Sequence, residues 1–443
     1  MSERWSTPRE DGFSMPAEWE PHEACLMEWP TLTRKELWGE RFEEAERDYA
    51  TVANAIAAFE PVVMVCDPQQ QAEVRRRCGE GVEVLPLPID DSWMRDNGPI
   101  FVRDAAGRIA LVHFGFNSWG EKYLPYDRDA QVPRLIAEHL GMRRYEAPFV
   151  LEGGSFFVDG EGTLVTTEQC LLNPNRNPAL SREQIEQGLR DYLGVQVIVW
   201  LKFGHSTDRD TDGHIDGIAP YLAPATVALL LPEDPDDPDH ERGRDNLDRL
   251  KRARDARGRE FEVVPFQTRP PGVVPYLNFY LANGGAIVPI AERPEDEQAL
   301  EQIAKMLPDR EIVPVPGNCL NEGGGGPHCI TQQRPRASPC RPEMYLNPTE
   351  EDRLLIFAAA ELARRTLERG LALNAPEATA LICDEMHMAA RSGASFDEVL
   401  EAGRRAVAAD QLMPGVADLI DEIRLEVLLD EGSRLVVLRR PWG

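Results

Sequence analysis

Short apolar runs alternate with polar stretches of helical pattern over most of the chain, from Met15 to about Arg341. The apolar runs are typical of buried strands and occupy residues 61–66, 81–87, 195–201, 226–231 and 311–315. Helical patterns lie between them, for example at residues 41–59, 130–140 and 295–306. Strands that alternate with helices in this way are typical of α/β proteins. We therefore predict an α/β fold for this part of the chain, with polar side chains at the strand ends where functional sites are usually built.

The pattern changes near Thr349. Residues 334–348 hold four prolines and predict a linker. Beyond it, helix-start signals occur at residues 349–352, at Pro376 and at residues 395–398, and a fourth short helix is predicted at residues 415–420. Two apolar runs at 423–429 and 435–439 flank residues 430–433, which carry a hairpin signal. The sequence therefore predicts an α/β domain at residues 13–343, followed by a small α-helical domain with a C-terminal β-hairpin at residues 347–443.

Charge and cysteine usage limit the classes of partner. The chain has 443 residues and a formal net charge of -28, and a nucleic-acid binder would need a basic patch. Such acidity suits small cationic ligands, although it also serves solubility or adaptation to salt. No apolar run approaches the roughly 20 residues of a membrane span, and residues 1–14 have no apolar signal core. The eight cysteines are scattered without a CxxC pair, which indicates reduced thiols in a cytoplasmic protein and no zinc site. We expect no nucleic-acid and no membrane partner.

Cys329 follows closely on the four glycines of residues 323–326. A glycine-rich loop allows the backbone to approach a ligand closely. A thiol on such a loop is well placed to act as a nucleophile, because the thiolate attacks best from an exposed, electropositive niche. A structural cysteine after a flexible turn is the alternative, and it is the better interpretation of an isolated cysteine. Other motifs must therefore supply the partners.

Three motifs supply a histidine and acids. Asp96 lies between a predicted strand and a Gly-Pro turn, and Glu152 precedes two glycines, so each alone is well explained as a turn or surface acid. His214 and Asp216 are two residues apart and, in extended backbone, face the same side. A histidine beside a carboxylate can carry a proton. A metal site is the alternative; one histidine without a second nearby disfavours zinc but leaves manganese open.

The charge of these residues together indicates the substrate. Asp96, Glu152 and Asp216 would make the pocket anionic, which disfavours a thiolate that faces a neutral peptide. A guanidinium is planar and donates hydrogen bonds in a fork, so two carboxylates can hold it. Once bound, its positive charge would also stabilise the thiolate. The residues therefore predict a small cationic guanidino substrate.

Six segments resemble, in order, the motifs of the agmatine deiminase family, within the guanidine-modifying enzymes of the pentein fold: residues 15–22, 91–99, 151–155, 210–216, 276–285 and 323–333. They cover nearly all of residues 13–337. The resemblance implies a five-bladed α/β propeller with pseudo-fivefold symmetry, and we expect a homo-oligomer. The chain departs from the family at Gly217 and at Gly326-Pro327, because the family usually carries Asn at position 217 and at position 326.

The resemblance also implies a role for each candidate residue. It implies Cys329 as the nucleophile, His214 as the general acid/base, and Glu152 as a carboxylate that binds substrate or orients the histidine. It further implies Asp96 and Asp216 as the guanidinium clamp.

Two tryptophans complete the implied site. Trp93 and Trp119 would line a channel for an aliphatic arm, with core packing as the alternative for both.

The implied reaction forms a covalent amidino-thioether on the cysteine, releases ammonia, and hydrolyses the adduct to a ureido product. It needs no metal and no organic cofactor. Agmatine is the first candidate substrate; arginine, peptidyl-arginine, amidino transfer to an amine, and a non-catalytic component of a urease complex stay open.

The end of the chain resembles the urease gamma subunit over about that subunit's full length. Residues 354–357, 369–374, 376–378, 390–393 and 416–426 carry the resemblance. In ureases this subunit is structural, and the nickel site lies on another subunit. The resemblance therefore implies an assembly domain, with urease-type subunits as possible partners.

Overall fold

The computed structural model describes residues 6–267, 274–337, 348–429 and 432–442. The chain forms two compact units, Met1–Arg341 and Pro342–Gly443. Within the described residues, no helix combines the length and the apolar character needed to cross a membrane.

The first unit alternates strands and helices, which confirms the predicted α/β fold. Its strands are β1 (Phe13–Ser14), β2 (His22–Glu28), β3 (Val62–Cys66), β4 (Val82–Pro86), β5 (Ile100–Asp104), β6 (Ile109–Gly115), β7 (Arg144–Val150), β8 (Phe156–Val158), β9 (Thr163–Thr167), β10 (Val197–Leu201), β11 (Tyr221–Ala223), β12 (Thr226–Leu230), β13 (Glu262–Phe266), β14 (Tyr280–Ala282), β15 (Gly285–Ile290), β16 (Glu311–Pro316) and β17 (Thr331–Pro335). Its helices are α1 (Lys35–Trp38), α2 (Phe42–Ala57), α3 (Gln71–Arg77), α4 (Met94–Asn97), α5 (Ser118–Glu121), α6 (Val132–Leu140), α7 (Glu168–Leu171), α8 (Arg182–Leu193), α9 (His240–Arg252), α10 (Glu295–Met306) and α11 (Asn318–Glu322). Short 3-10 turns lie at Leu32–Arg34, Gly39–Arg41, Asp129–Gln131 and Gly153–Ser155.

One ββαβ module recurs along this unit. In each copy two strands pair antiparallel, a helix follows, and a last strand returns parallel to the second. Four sheets of the described residues contain it in continuous sequence: β5-β6-α6-β7, β8-β9-α8-β10, β11-β12-α9-β13 and β14-β15-α10-β16. The helix must cover the sheet in such a crossover, which is why apolar strands and amphipathic helices alternate in the sequence.

A further sheet is assembled from both ends of the unit. Strand β17 pairs antiparallel with β2, and β3 and β4 add parallel strands beyond β2. The predicted linker therefore starts too early, because Arg334 pairs with Ala24 inside this sheet. Pro335 is tolerated there because it ends an edge strand, after a register shift, where no backbone donor is required. Residues 338–347 of the predicted linker lie outside the described residues.

The second unit contains helices α12 (Pro348–Glu368), α13 (Ala375–Arg391), α14 (Phe396–Arg405) and α15 (Val416–Leu419), a 3-10 turn at Ala409–Gln411, and strands β18 (Glu422–Leu429) and β19 (Gly432–Arg439). Pro376 lies in the first turn of α13, as predicted. Glu398 accepts a hydrogen bond from the backbone N–H of Ser395 at the start of α14, at 2.7 Å. Of the capping box predicted at residues 349–352, the side chains of residues 349–351 lie outside the described part.

The two C-terminal strands pair antiparallel over their full length, from Glu422 opposite Arg439 to Leu429 opposite Gly432. Residues 430 and 431, which carry half of the predicted hairpin signal, lie outside the described residues. The sheet and helices of this unit enclose their own apolar core, which includes Leu381, Met386 and Val436.

Candidate active site

The predicted site residues follow the last strand of successive modules. Asp96 comes after β4, Glu152 after β7, and His214 with Asp216 after β10. Cys329 comes after β16. Loops that leave the carboxyl ends of parallel strands are where α/β folds usually place their sites. These segments, far apart in sequence, therefore bring their side chains together.

The backbone of Gly154 marks the point of convergence. A Cβ atom at this position would lie 2.7 Å from Nδ1 of His214 and 2.9 Å from carboxylate oxygens of both Asp96 and Asp216. Three chemically active side chains therefore crowd against one glycine of the 3-10 turn Gly153–Ser155.

Asp96 lies on the short helix α4 rather than on the predicted loop, and its side chain is buried. Its Oδ2 accepts a hydrogen bond from the indole N–H of Trp119 at 2.9 Å, and its Oδ1 accepts one from the backbone N–H of Gly154 at 3.0 Å. Burial raises the pKa of Asp96 to about 6; His214 opposes the shift, while the charges of Asp216 and Glu152 add to it. This carboxyl therefore changes charge near neutral pH.

Cys329 is buried, with 6% of its surface exposed, so the predicted exposed thiol is not what the structure contains. The loop nevertheless requires a glycine at position 325, because a Cβ there would lie 2.9 Å from the Cys329 sulfur and 2.7 Å from Trp93. The sulfur lies 3.2 Å from Oδ2 of Asp216. Burial, together with the nearby Asp216 and Asp96, raises the pKa of the Cys329 thiol well above its usual range. The free site therefore holds a thiol, and a positive charge is needed to ionise it.

His214 does not lie in the extended backbone that the sequence suggested. Asp212 and Gly213 have positive φ angles, and residues 215–218 form a turn in which Ile218 donates to the carbonyl of Ile215 at 2.9 Å. The imidazole is buried, and neither ring nitrogen has a hydrogen-bond partner among the described residues. Its Nδ1 lies 3.8 Å from Oδ1 of Asp96. A buried imidazole with both nitrogens unoccupied is available to exchange protons with a ligand.

Glu152 is fully buried and forms an ion pair with Arg176, which is equally buried. Arg176 also donates to the backbone carbonyls of Trp119 at 3.0 Å and Thr211 at 2.9 Å. The Arg176 guanidinium therefore links the three loops that carry Glu152, Trp119 and Thr211. The second oxygen of Glu152 has no hydrogen-bond partner among the described residues.

Three side chains of the site could act as metal ligands by their type, but two of them are poorly suited to bind a metal ion. Cys170, Glu152 and His214 each place a donor atom within 4.8 Å of the others. The Arg176 guanidinium already occupies one oxygen of Glu152. Burial raises the pKa of the Cys170 thiol well above its usual range, so this thiol resists becoming a thiolate ligand. A second cation in this position would be repelled by the guanidinium.

A second histidine lies beneath the thiol. His328 donates through Nδ1 to Oδ2 of Asp216 at 3.0 Å, and its Nε2 lies 3.0 Å from Oε1 of Glu18. Burial and Arg95 oppose its protonation, but Glu18 and Asp216 outweigh them and raise the pKa of His328. Burial likewise would raise the pKa of Asp216, but the hydrogen bond and charge of His328 lower it. Asp216 is thus held ionised, whereas Asp96 gains its charge only as the pH rises through about 6.

Two clefts meet at Cys329. One, of about 150 Å³, is aromatic and is lined by Leu37, Trp38, Trp93, Trp119 and Tyr123, with acids at Asp91, Asp96, Asp210 and Glu322. The other, of about 260 Å³, is polar and is lined by residues that include His214, Asp216, Gly217 and Asn278. Trp93 and Trp119 therefore face the cleft as well as the core, since both are largely buried.

Some site residues were not identified from the sequence. Glu18, Arg176, Asn278 and His328 all lie within 3.5 Å of a predicted site residue or of its immediate partner. Three of them lie inside the segments that carry the family resemblance, which was the available signal. Arg176 lies outside those segments and had no signal of its own.

The chain belongs to the Porphyromonas-type peptidyl-arginine deiminase family, whose model matches residues 14–335. Among curated proteins it is similar to the agmatine deiminase of Pseudomonas aeruginosa, with 44% identity over 366 residues that cover 76% of this chain and 99% of that protein. It is also similar to an agmatine deiminase of Pseudomonas putida, with 42% identity over 74% of this chain and 97% of that protein. The family resemblance drawn from the sequence is thereby confirmed.

Comparison with solved structures supports the same family. The agmatine deiminase of Enterococcus faecalis matches with a TM-score of 0.72 and 38% identity, over 75% of this chain and 99% of that one. Residues 344–442 match the family of the urease gamma subunit, which confirms the second resemblance.

Proposed function

We propose that this protein is a hydrolase that converts agmatine to N-carbamoylputrescine and ammonia through a covalent intermediate on Cys329. The observation that carries the proposal is the buried thiol that lies 3.2 Å from Asp216 in a pocket it shares with Asp96 and His214. The acids next to the sulfur make such a site suited to a cationic substrate. The relatives named agmatine deiminase, at 42–44% identity over most of the chain, support the same reaction.

In the first half of the proposed reaction, Asp96 and Asp216 hold the guanidinium by charge-assisted hydrogen bonds. The bound cation lowers the pKa of the Cys329 thiol, and the thiol proton passes to His214. The Cys329 sulfur attacks the guanidinium carbon to form a C–S bond. His214 then returns the proton to the departing nitrogen, the C–N bond breaks, and ammonia leaves. An amidino-thioether remains on the sulfur.

In the second half, His214 takes a proton from water, and the hydroxide attacks the same carbon. The C–S bond breaks and the sulfur leaves as a thiolate, which takes back a proton from His214 to restore the thiol. The new hydroxyl group loses its proton to solvent, and the carbon keeps the oxygen as the carbonyl of a ureido group. The ion pair between Glu152 and Arg176 positions the loops, and the second oxygen of Glu152, which has no hydrogen-bond partner among the described residues, is left to bind substrate or to orient His214. No metal or organic cofactor is needed for either half.

The aromatic cleft favours agmatine over arginine. Its walls of Trp38, Trp93 and Trp119 suit an aliphatic arm. Asp210 and Glu322 also line it, and both are acidic. These acids would attract the terminal ammonium of agmatine and repel the carboxylate of arginine.

We also propose an arrangement for the whole chain. The recurring ββαβ modules support a five-bladed propeller with pseudo-fivefold symmetry, closed by the sheet that unites β17 with β2. The proposed domains are residues 13–343 for the deiminase and 347–443 for the urease gamma-like part. The seven cysteines of the described part are free thiols, which supports a cytoplasmic location.

The second unit is proposed to serve assembly, either of a homo-oligomer or with urease-type subunits. Large apolar side chains are unusually exposed there. Of thirteen such side chains in the described residues, ten belong to this unit, among them Leu355, Leu362 and Leu419. Exposed apolar surface of this kind commonly marks an interface.

The test is a screen for ammonia release over agmatine, arginine, a peptide that contains arginine, and other guanidino compounds. We expect agmatine to give the highest kcat/KM, and mass spectrometry of the quenched enzyme to find an amidino adduct on Cys329. The Cys329→Ala variant should release no ammonia and form no adduct. Ammonia release retained by Cys329→Ala would contradict the proposal, and turnover of arginine above agmatine would reassign the substrate.

A further inference from the structure

We infer that Asn278 is a further catalytic residue, whose side-chain amide stabilises the Cys329 thiolate during attack. The inference deepens the proposed deiminase function and depends on it for the identity of the reaction. No motif argument from the sequence singled out this residue.

Asn278 is buried and touches the reacting sulfur. Its Nδ2 donates to Sγ of Cys329 at 3.2 Å. Its Oδ1 accepts from the backbone N–H of His328 at 3.2 Å and from that of Cys329 at 3.4 Å. Its own backbone carbonyl accepts a second bond from the N–H of His328 at 3.1 Å. One side chain therefore binds both the nucleophile and the turn that carries it.

The two backbone donors settle which way the amide points. A backbone N–H can only donate, so the atom that receives both bonds must be the oxygen. The NH₂ group then lies 3.2 Å from the sulfur, while Oδ1, at 3.4 Å, can accept a hydrogen bond from the S–H of the thiol form only. A donor directed at sulfur stabilises a thiolate more than a thiol, because a hydrogen bond to an ionised acceptor is the stronger one.

Two side chains contact the sulfur, and their effects on the thiolate are opposite. Asp216, 3.2 Å away, can accept the S–H proton and so favours the thiol. Asn278 can donate to the thiolate. When a guanidinium binds Asp216, the substrate balances the negative charge of that carboxylate, and the amide of Asn278 then donates to the ionised sulfur, as does the backbone N–H of Gly326. The balance between the two partners thus changes in the direction that the reaction requires.

The position of Asn278 in the fold matches that of the other site residues. It follows β13, the last strand of its ββαβ module, as Glu152 follows β7 and His214 follows β10. Each module thereby contributes a polar side chain to one site, and Asn278 is the contribution of the module that otherwise supplies none.

The cysteine loop is built around this amide. A Cβ atom at Gly326 would lie 2.6 Å from Oδ1 of Asn278 and 3.2 Å from its Cβ. The φ angle of Gly326 is not among the positive ones, so contact with Asn278 is what the glycine accommodates.

The test measures the thiolate directly, without turnover. Cys329 is alkylated with neutral iodoacetamide and with cationic chloroacetamidine across pH 6 to 11, the modified peptide is quantified by mass spectrometry, and the rate constant at each pH gives the relative thiolate fraction from which the midpoint is fitted. Asn278→Asp keeps an oxygen for the two backbone donors and loses the donor to sulfur. We expect its alkylation midpoint to rise by about one pH unit or more, a tenfold loss of thiolate at a given pH. We expect kcat/KM for agmatine to fall by about 100-fold.

Three comparisons make the result decisive. Asn278→Ala should show the same direction of shift, and Cys329→Ser gives the alkylation background of the other cysteines. Asn321→Asp adds the same charge to the polar cleft, which Asn321 also lines, and should move the midpoint far less. An unchanged midpoint in Asn278→Asp, whether activity is kept or lost with a lower Tm, overturns the inference. If the unaltered enzyme turns over no guanidine, the proposed function fails, while the alkylation profile still decides the role of Asn278.

Discussion

At the scale of single residues, the site separates two carboxyls that occupy one pocket. Asp96 and Asp216 both approach Gly154, and two like charges so close cannot both ionise freely. The hydrogen bond and charge of His328 lower the pKa of Asp216, whereas burial raises the pKa of Asp96 to about 6. One acid is therefore a permanent anion, and the other becomes one within the physiological range.

This difference predicts how substrate binding depends on pH. A guanidinium binds the ionised form of Asp96, and a carboxyl with a pKa of about 6 is mostly protonated at pH 5 and mostly ionised at pH 7. The affinity of Cys329→Ala for agmatine should therefore rise by about tenfold between pH 5 and pH 7 and level off above. Isothermal titration calorimetry on this inactive variant measures it.

The matched variant is Asp96→Asn, combined with Cys329→Ala. It should bind agmatine more weakly at pH 7 and should lose most of the rise, because no group that titrates near pH 6 remains in the clamp. An affinity that is flat in Cys329→Ala, or that still rises tenfold in the double variant, would contradict the assignment of this titration to Asp96.

The sequence could predict residues that carry a chemical signature, and it could not predict those that act through contacts. Residue type and spacing were enough to predict roles for Cys329, which follows four glycines, and for His214, which lies beside Asp216. Asn278 and Arg176 are ordinary polar residues whose roles arise from which loops meet. Arg176 contacts Glu152 and Thr211, residues 24 and 35 positions away, and neither distance follows from a local pattern.

At the scale of elements, the short turn Gly153–Ser155 decides how closely the catalytic loops approach. Gly154 has no steric room for a side chain, since a Cβ would lie within 2.9 Å of His214, Asp216 and Asp96. Gly154→Ala should therefore displace all three groups. We expect kcat/KM for agmatine to fall by about 100-fold, the scale of effect that a displacement of about 1 Å produces.

Gly217 offers a matched control at the same site. It lines the polar cleft, its φ is not positive, and a Cβ there would meet only Pro275, at an ordinary 3.7 Å. Gly217→Ala should keep kcat/KM within about twofold of the unaltered enzyme. Steady-state kinetics and thermal unfolding of both variants compare them. Equal losses in the two, or a Gly154→Ala enzyme with full activity, would show that this turn does not set the geometry.

Elements with local signals were predicted closely from the sequence. Helix α10 spans Glu295–Met306, the predicted range, because its apolar period and acidic first turn are both local. The start of the predicted linker was placed too early, since the proline-rich segment predicts a linker while pairing with β2 makes a strand of its first residues. That pairing joins residues more than 300 positions apart, so no local pattern reports it.

At the scale of the whole molecule, each unit has its own hydrophobic core. The clusters of the first unit and that of the second share no residue. Relatives at 42–44% identity are matched over 97–99% of their own length by about three quarters of this chain. A separate core is what allows a domain to fold by itself.

Removal of residues 347–443 should therefore leave the proposed deiminase reaction nearly unchanged and alter assembly. Every residue placed in the site belongs to the first unit, so we expect kcat/KM for agmatine within about twofold of the full chain. We expect a smaller oligomer by size-exclusion chromatography with light scattering, because the deleted part carries most of the exposed large apolar side chains of the described residues.

The charge-preserving variant Leu355→Gln with Leu362→Gln should reproduce the smaller oligomer in the full chain if helix α12 contributes to the interface. Loss of activity in a folded truncated protein would place part of the site's support in the second unit. An unchanged oligomer, together with no binding to purified urease subunits, would rule out the assembly role.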